Sequence, residues 1–183
     1  MSTGTTIGVI VVVLVVLAAI AVLLKFLMQR KRLRSKFGPE YDRALERNGS
    51  RMAAERELAE REREHAKLEL RPLDPTTRDN YARTWTQVQE QFVDEPTQAV
   101  GQADHLVTDL MAARGYPTDD YERREKLLSV EHARTLDHYR QAHSIIERQD
   151  RGEASTEDLR TAMVHYRTVF EDLLGDHREG ARS

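Results

Sequence analysis

The chain has 183 residues, a formal net charge of −3 and no cysteine. The lack of cysteine excludes a disulfide-bonded scaffold, a cysteine nucleophile and a thiolate metal site. Residues 1–36 contain six bases and no acid, whereas residues 37–183 carry a net charge of −9. Nucleic-acid binding depends on neutralising phosphates with Lys and Arg, so this acidic segment argues against a nucleic-acid partner.

An apolar run near the N-terminus predicts one transmembrane helix. Residues 7–28 contain a single charged side chain, Lys25, and at 1.5 Å per residue they span about 33 Å, close to the hydrocarbon thickness of a bilayer. A cleaved signal peptide needs bases before the run and a small-residue cleavage site after it, and the sequence has neither. We therefore expect a membrane anchor over residues 7–28, preceded by a short external segment, residues 1–6.

The bases at the end of this run predict its orientation. Five of the six fall in a juxtamembrane segment, residues 29–36. The six are Lys25, Arg30, Lys31, Arg32, Arg34 and Lys36. Cytoplasmic flanks of transmembrane helices are rich in Lys and Arg, so the N-terminus is expected outside the plasma membrane and the rest of the chain in the cytoplasm. The same side chains are the candidate contacts with the lipid bilayer and its anionic headgroups; the alternative is a topology signal alone.

Residues 37–71 predict a charged helical stalk. Asn48-Gly49 is a break signal, and Ser50 is placed to cap a stretch that runs to Glu69 with few apolar residues and alternating charge. A helix that is polar nearly all round is a solvated spacer or a weak coiled coil. Both alternatives stay open from the sequence.

Residues 72–175 predict a bundle of about four helices. The first opens at Asp74-Pro75, and the second opens at Asp94-Glu95-Pro96, with Asp94 as a cap, and ends at Gly115. The apolar stripe of the first helix is Tyr81, Trp85, Val88 and Phe92. The buried face expected for the second is Ala99, Val100, Ala103, Leu106, Val107, Leu110 and Met111.

The third and fourth helices are likewise predicted from their capping and break residues. The third region, residues 119–151, is expected to break at Ser129, which is placed to cap its second segment. The fourth opens at Ser155, whose spacing to Asp158 is that of a capping motif, and residues 176–183 are expected to form a disordered tail. His-Tyr-Arg occurs at residues 138–140 and 165–167, and we interpret so short a repeat as chance. The predicted fold class is therefore all-α: an N-terminal transmembrane helix, a charged helical stalk and an antiparallel bundle.

Several of these positions resemble a known family. The pattern is Trp85-x-x-Val88-Gln89-x-x-Phe92-Val93-Asp94-x-Pro96, then Ala103-Asp104-x-Leu106-Val107, then Met111-x-x-Arg114-Gly115-Tyr116-Pro117. It is similar to a family of single-pass membrane proteins of high-GC Gram-positive bacteria, to which no activity is assigned, over about residues 30–175. The resemblance implies the same layout of anchor, stalk and helical domain, and it implies no activity.

No constellation in the sequence predicts catalysis, a cofactor or a metal. A di-metal bundle needs two Glu-x-x-His pairs, and only Glu62-x-x-His65 has that spacing. Gly-x-Ser-x-Gly and phosphate-binding glycine loops are absent. We expect no catalytic residue, no cofactor and no metal ligand.

Three classes of function remain. The leading expectation is a non-enzymatic interaction module that recruits a cytoplasmic protein to the inner leaflet, which an apolar groove beside the turn of residues 116–121 would favour. The alternative is a self-associating structural element, which a hydrophobic seam on the stalk would favour. An enzyme or ligand-binding bundle is the third, and it needs a cavity with converging polar groups.

Overall fold

The computed structural model describes residues 3–175, apart from the side chains of residues 3–11, 13, 22 and 26. In this part of the chain all regular structure is helical, in eight α-helices and no strand, so the predicted all-α class is confirmed. The helices are α1 (Thr3–Phe37), α2 (Pro39–Asn48), α3 (Arg51–His65), α4 (Pro75–Gln91), α5 (Pro96–Arg114), α6 (Tyr121–Leu128), α7 (Leu136–Asp150) and α8 (Thr156–Gly175). The predicted tail, residues 176–183, lies outside the described residues.

Helix α1 contains the whole of the predicted transmembrane segment, residues 7–28. Among the described residues, no helix is both long enough and apolar enough to cross a membrane. The side chains of residues 7–11, 13, 22 and 26, which belong to the predicted segment, lie outside the described residues, as do the first two residues of the predicted external segment.

The chain divides into two compact units, of which the first extends through Ala59 and the second begins at Glu60. In the first unit, Gly49 ends α2 in a left-handed conformation (φ 63°) and lets the chain turn into α3. Polar contacts then join these two helices. Tyr41 donates to a carboxylate oxygen of Glu55 (2.8 Å), and Arg47 donates to Glu57 (2.7 Å).

Helix α3 differs from the solvated stalk that the sequence suggested. Its residues Ala54, Leu58, Arg61 and His65 are all buried, and they recur at the spacing of one helical face. A face with two apolar and two polar residues is thus covered in the structure, because the stems of long polar side chains tolerate burial beside apolar ones. The expectation of a helix that is solvated all round is wrong, and α3 ends at His65 instead of Glu69.

The second unit is a bundle of four longer helices, α4, α5, α7 and α8, with the short α6 between α5 and α7. Two contacts give the direction of α7 against α8: His138 meets His165, and Arg148 pairs with Asp158 (3.0 Å), so these helices are antiparallel. Helices α5 and α8 pack closely and run in the same direction, since Asp104 meets Tyr166 and Arg114 meets Leu173. The predicted helical bundle is confirmed, but its central pair, α5 and α8, is parallel, whereas the sequence predicted an antiparallel bundle.

The core of this bundle is the one that the apolar spacing predicts. All seven residues expected on the buried face of α5 are buried, and Trp85 is buried with its ring stacked on Phe170 at a centroid distance of 4.7 Å. Val88 is also buried, whereas Tyr81 and Phe92 at the ends of the same stripe are half-buried. Burial therefore decreases toward both ends of α4.

The predicted N-terminal helix caps are confirmed at three positions and wrong at two. The Ser50 hydroxyl caps α3 by accepting a hydrogen bond from the backbone N–H of Ala53 (3.2 Å). Asp74 accepts a hydrogen bond from the backbone N–H of Thr77 (3.0 Å), and Ser155 forms the reciprocal pair with Asp158. Asp94 does not cap α5, because the chain turns for one residue more and Glu95 takes that position. Ser129 ends α6 and caps nothing after it, because α7 begins only at Leu136.

Candidate functional site

The six bases proposed to contact lipid lie along the second half of α1. Arg30 is half-buried, and the other five are exposed. Arg34 forms a long ion pair with Asp42 (3.8 Å), in which both side chains are about 60% exposed. Leu33 and Phe37, in the same stretch of helix, are buried. This end of α1 therefore has one buried apolar face, and its exposed surface carries most of the bases.

The part of α1 that precedes these bases exposes apolar side chains on every side. Leu14, Val15, Val16 and Leu17 are consecutive, so at 100° per residue they point in four directions around the helix, and each is at least half exposed. The other exposed large apolar residues of this segment are Val12, Ile20, Leu23, Leu24, Leu27 and Met28. A contiguous apolar surface of this kind marks a segment that contacts lipid or another protein.

The second unit contains a partly buried polar network where the connection between α6 and α7 meets the last turns of α8. The imidazole Nδ1 of His132 lies 2.8 Å from a carboxylate oxygen of Asp172, and the Thr135 hydroxyl donates to the same oxygen (2.5 Å). Burial alone would raise the pKa of Asp172, but the hydrogen bonds from His132 and Thr135 and the charge of Arg114 outweigh burial and hold this pKa below its usual value.

Aromatic and charged groups extend this network toward α3. The ring of Tyr116 lies between those of His132 and His65, 6.0 Å from each. Glu131 lies 3.8 Å from His65 Nε2 and accepts a hydrogen bond from the Tyr116 hydroxyl (3.4 Å). The second unit thus ties the C-terminal part of α3 to the α6–α7 connection through side chains that are distant in sequence.

A histidine whose Nδ1 faces a carboxylate is the arrangement of a general base. Here His132 is only 5% exposed, and its Nε2 atom is covered by protein with no hydrogen-bond partner among the described residues. The cavity that it lines has a volume of about 10 Å³, enough for about one water molecule. In this conformation a substrate cannot reach Nε2, so the network holds helices together.

An apolar groove lies on the surface between the end of α4 and α8. Its lining comprises Gln89, Phe92, Arg160, Met163, Val164 and Arg167, and its volume is about 180 Å³. Val164 is 59% exposed, and Val93, next to Phe92, is 82% exposed. The two arginines of the groove pair with acids on their own helix, Arg167 with Glu171 at 2.7 Å. The groove therefore combines three apolar side chains, Phe92, Met163 and Val164, with two arginines in ion pairs.

The position of this groove differs from the one considered in the sequence. Tyr116, at the start of the turn of residues 116–121, is only 3% exposed and belongs to the partly buried polar network. Sequence reasoning also missed the pairing of His132 with Asp172, because 40 residues separate them and no local spacing signals the contact. A second contact between distant residues joins His138 to His165, and the repeated His-Tyr-Arg is the one sequence feature that pointed to it.

Comparisons of the chain with protein-family models, with curated proteins and with solved structures find no match.

Proposed function

We propose that this protein is a single-pass membrane protein whose helical bundle serves as a non-enzymatic interaction module at the inner leaflet. The observation that carries the proposal is the apolar segment of α1, residues 7–28, with Lys25 near its end and five more bases in residues 29–36. The all-round exposure of apolar side chains at residues 14–17 supports it, since only lipid or protein contact covers such a surface favourably. The resemblance to single-pass membrane proteins supports the same layout.

The charge distribution supports the proposed orientation. A base near an anionic membrane surface is worth about 1 kcal/mol, so the six together stabilise the cytoplasmic location of this flank by several kcal/mol. No base precedes the apolar run to oppose them. We therefore propose that the N-terminus lies outside and the bundle inside.

The groove of residues 89–92 and 160–167 is the surface that we propose for the protein partner. We propose as occupant an amphipathic helix with carboxylates beside its apolar face. Its apolar side chains would cover Phe92, Met163 and Val164, and its carboxylates would compete for Arg160 and Arg167. Exposed ion pairs within a helix contribute little stability, so these arginines exchange their present partners at small cost.

Membrane insertion is tested by alkaline carbonate extraction of membranes that carry the full chain. The wild-type chain should stay in the pellet. Leu14→Arg together with Leu17→Arg should release it, because two central arginines cost about 5–7 kcal/mol in the bilayer. Met52→Arg together with Val93→Arg is the matched control, since these two exposed apolar residues lie outside the segment. Release of the wild type, or retention of the Leu14/Leu17 variant, would contradict the anchor.

Orientation is tested by external protease on sealed cells. The bundle should be protected in the wild type, and replacement of all six bases by Gln should expose it in a fraction of chains. Digestion of the wild-type bundle from outside would reverse the proposed topology.

The interaction surface is tested by proximity labelling in the native cell. Val164→Glu should abolish labelling of the partner, whereas Thr161→Glu, on an exposed position of α8 outside the groove, should preserve it. An unchanged labelling profile in the Val164 variant would remove the groove from the proposal. Labelling of further copies of this chain alone would favour the self-associating alternative.

A further inference from the structure

Two histidines meet at the seam between α7 and α8. The Nδ1 atoms of His138 and His165 are 2.8 Å apart, and their ring centroids are 5.0 Å apart. Both side chains are half-buried. At this distance one imidazole donates a hydrogen bond from Nδ1 and the other accepts it with the Nδ1 lone pair. The two Nδ1 atoms thus share one proton.

The repeated His-Tyr-Arg explains why these rings meet. Tyr139 and Tyr166, the middle residues of the two copies, are both buried in the core. Burial of each tyrosine fixes the rotation of its helix, and the histidine before it then lies about 100° away, at the edge of the helix pair. Because α7 and α8 are antiparallel neighbours, the two edges face each other. The placement of the pair is thus built into the helix packing.

We propose that His138 and His165 form a binding site for a divalent transition-metal ion that prefers nitrogen ligands at a right angle, Cu²⁺ or Ni²⁺. Metal–nitrogen distances in proteins are about 2.0–2.1 Å, so two nitrogens at a right angle on one ion lie about 2.9 Å apart. The observed 2.8 Å is close to this separation, and both rings must turn so that their Nδ1 lone pairs point at the ion instead of along the hydrogen bond. A tetrahedral ion needs about 3.3 Å, so the helices would have to separate further for Zn²⁺.

The rest of the ligand shell follows from the surroundings. Within the described part of the chain, no three His, Asp or Glu side chains come together as metal ligands. The protein therefore supplies two imidazoles, and water fills the other positions on the exposed side of the pair. Burial and the neighbouring His138 lower the pKa of His165, which favours the neutral, coordinating form of this ring at neutral pH. The imidazole that donates from Nδ1 moves its proton to Nε2 when the metal binds, so no net proton is released.

The test uses the untagged full-length chain in detergent and Cu²⁺ alone as the probe. Calorimetric titration should give one ion per chain. His138→Gln and His165→Gln should each weaken its binding by about tenfold or more, since each removes one of two ligands. His105→Gln, on an exposed position of α5, is the matched control and should bind like the wild type. Cu²⁺ should also raise the melting temperature of the wild type and of the His105 variant, and not that of the other two.

Binding by either paired-histidine variant within threefold of the wild type would overturn the proposal, as would an equal loss in the His105 variant. Circular dichroism establishes that each variant is folded. Should His165→Gln fail to fold, the wild-type chain still carries the test, because the electron paramagnetic resonance spectrum of bound Cu²⁺ must show coupling to two imidazole nitrogens. Coupling to one nitrogen or to none would overturn the site.

Discussion

Replacement of Trp85 by alanine should remove a large part of the stability of the second unit. A tryptophan buries about 150–250 Å², which at about 25 cal/mol/Å² is at most about 4–6 kcal/mol. Trp85 is 6% exposed, so nearly all of this applies. Its indole N–H has no hydrogen-bond partner among the described residues, and the desolvation of this group opposes the gain by about 1–3 kcal/mol. We expect Trp85→Ala to lower the free energy of unfolding by about 3–5 kcal/mol.

Urea unfolding of a fragment of residues 60–175, followed by circular dichroism, measures this loss. Trp85→Phe should lose less than half as much, because a ring remains stacked on Phe170. Val93→Ala, at an 82% exposed position just after the same helix, should change the free energy by less than about 0.5 kcal/mol. Fluorescence of the wild-type fragment should be blue-shifted and protected from quenchers. A loss below about 1 kcal/mol for Trp85→Ala, with water-like emission of the wild type, would refute the core role.

Three further predictions concern stability. Gly115→Ala should destabilise the bundle by about 1–3 kcal/mol, because φ at Gly115 is 95° and a Cβ there would lie 2.5 Å from the Glu69 carbonyl oxygen. Gly101→Ala, inside α5 and with open space at its Cβ, should instead stabilise the bundle by up to about 1 kcal/mol. Urea unfolding measures both changes. The unfolded state binds a proton at His165 more readily than the folded state does, so stability should fall as the pH drops below about 6.5, and His165→Gln should flatten this part of the pH profile of the unfolding midpoint. A fragment of residues 60–175 should unfold cooperatively. One of residues 72–175, which lacks the Arg61 side chain that bonds Ser129 and the backbone of residues 69–70 beside Gly115, should melt at a lower temperature.

The part of the fold that the sequence predicts well is the part in which apolar side chains recur at helical spacing. On α5, seven such residues leave only one way to orient the helix, and all seven are buried. The left-handed end of this helix at Gly115 is equally local, because glycine adopts a positive φ without strain. Both features depend on residues that are close in the chain, so they can be predicted from a single sequence.

Features that depend on contacts between distant segments could not be predicted in the same way. Arg61 and His65 on α3 carry polar side chains that appear solvated in the sequence, and they are buried because Ser129 and Tyr116 meet them from more than fifty residues away. The pairing of the two copies of His-Tyr-Arg likewise depends on the rotation and direction of two helices. Periodicity gives the rotation of each helix, but it does not give their register.

The abundance of arginine also affects how the bundle packs. The chain has 23 arginines against 5 lysines, a bias that codon composition alone would explain. Three arginines are nevertheless buried in the second unit, and each is engaged by a different kind of group. Arg61 donates to the Ser129 hydroxyl (3.0 Å), Arg114 donates to the backbone carbonyl of Leu173 near the end of α8 (2.9 Å), and Arg124 lies 5.9 Å from the ring centroids of two tyrosines. The planar guanidinium offers several donors and a face that stacks on aromatic rings, whereas an ammonium is more strongly hydrated and offers neither a fork nor a face. A composition biased toward arginine therefore supplies this bundle with cations that tolerate burial and that contact groups on other parts of the bundle.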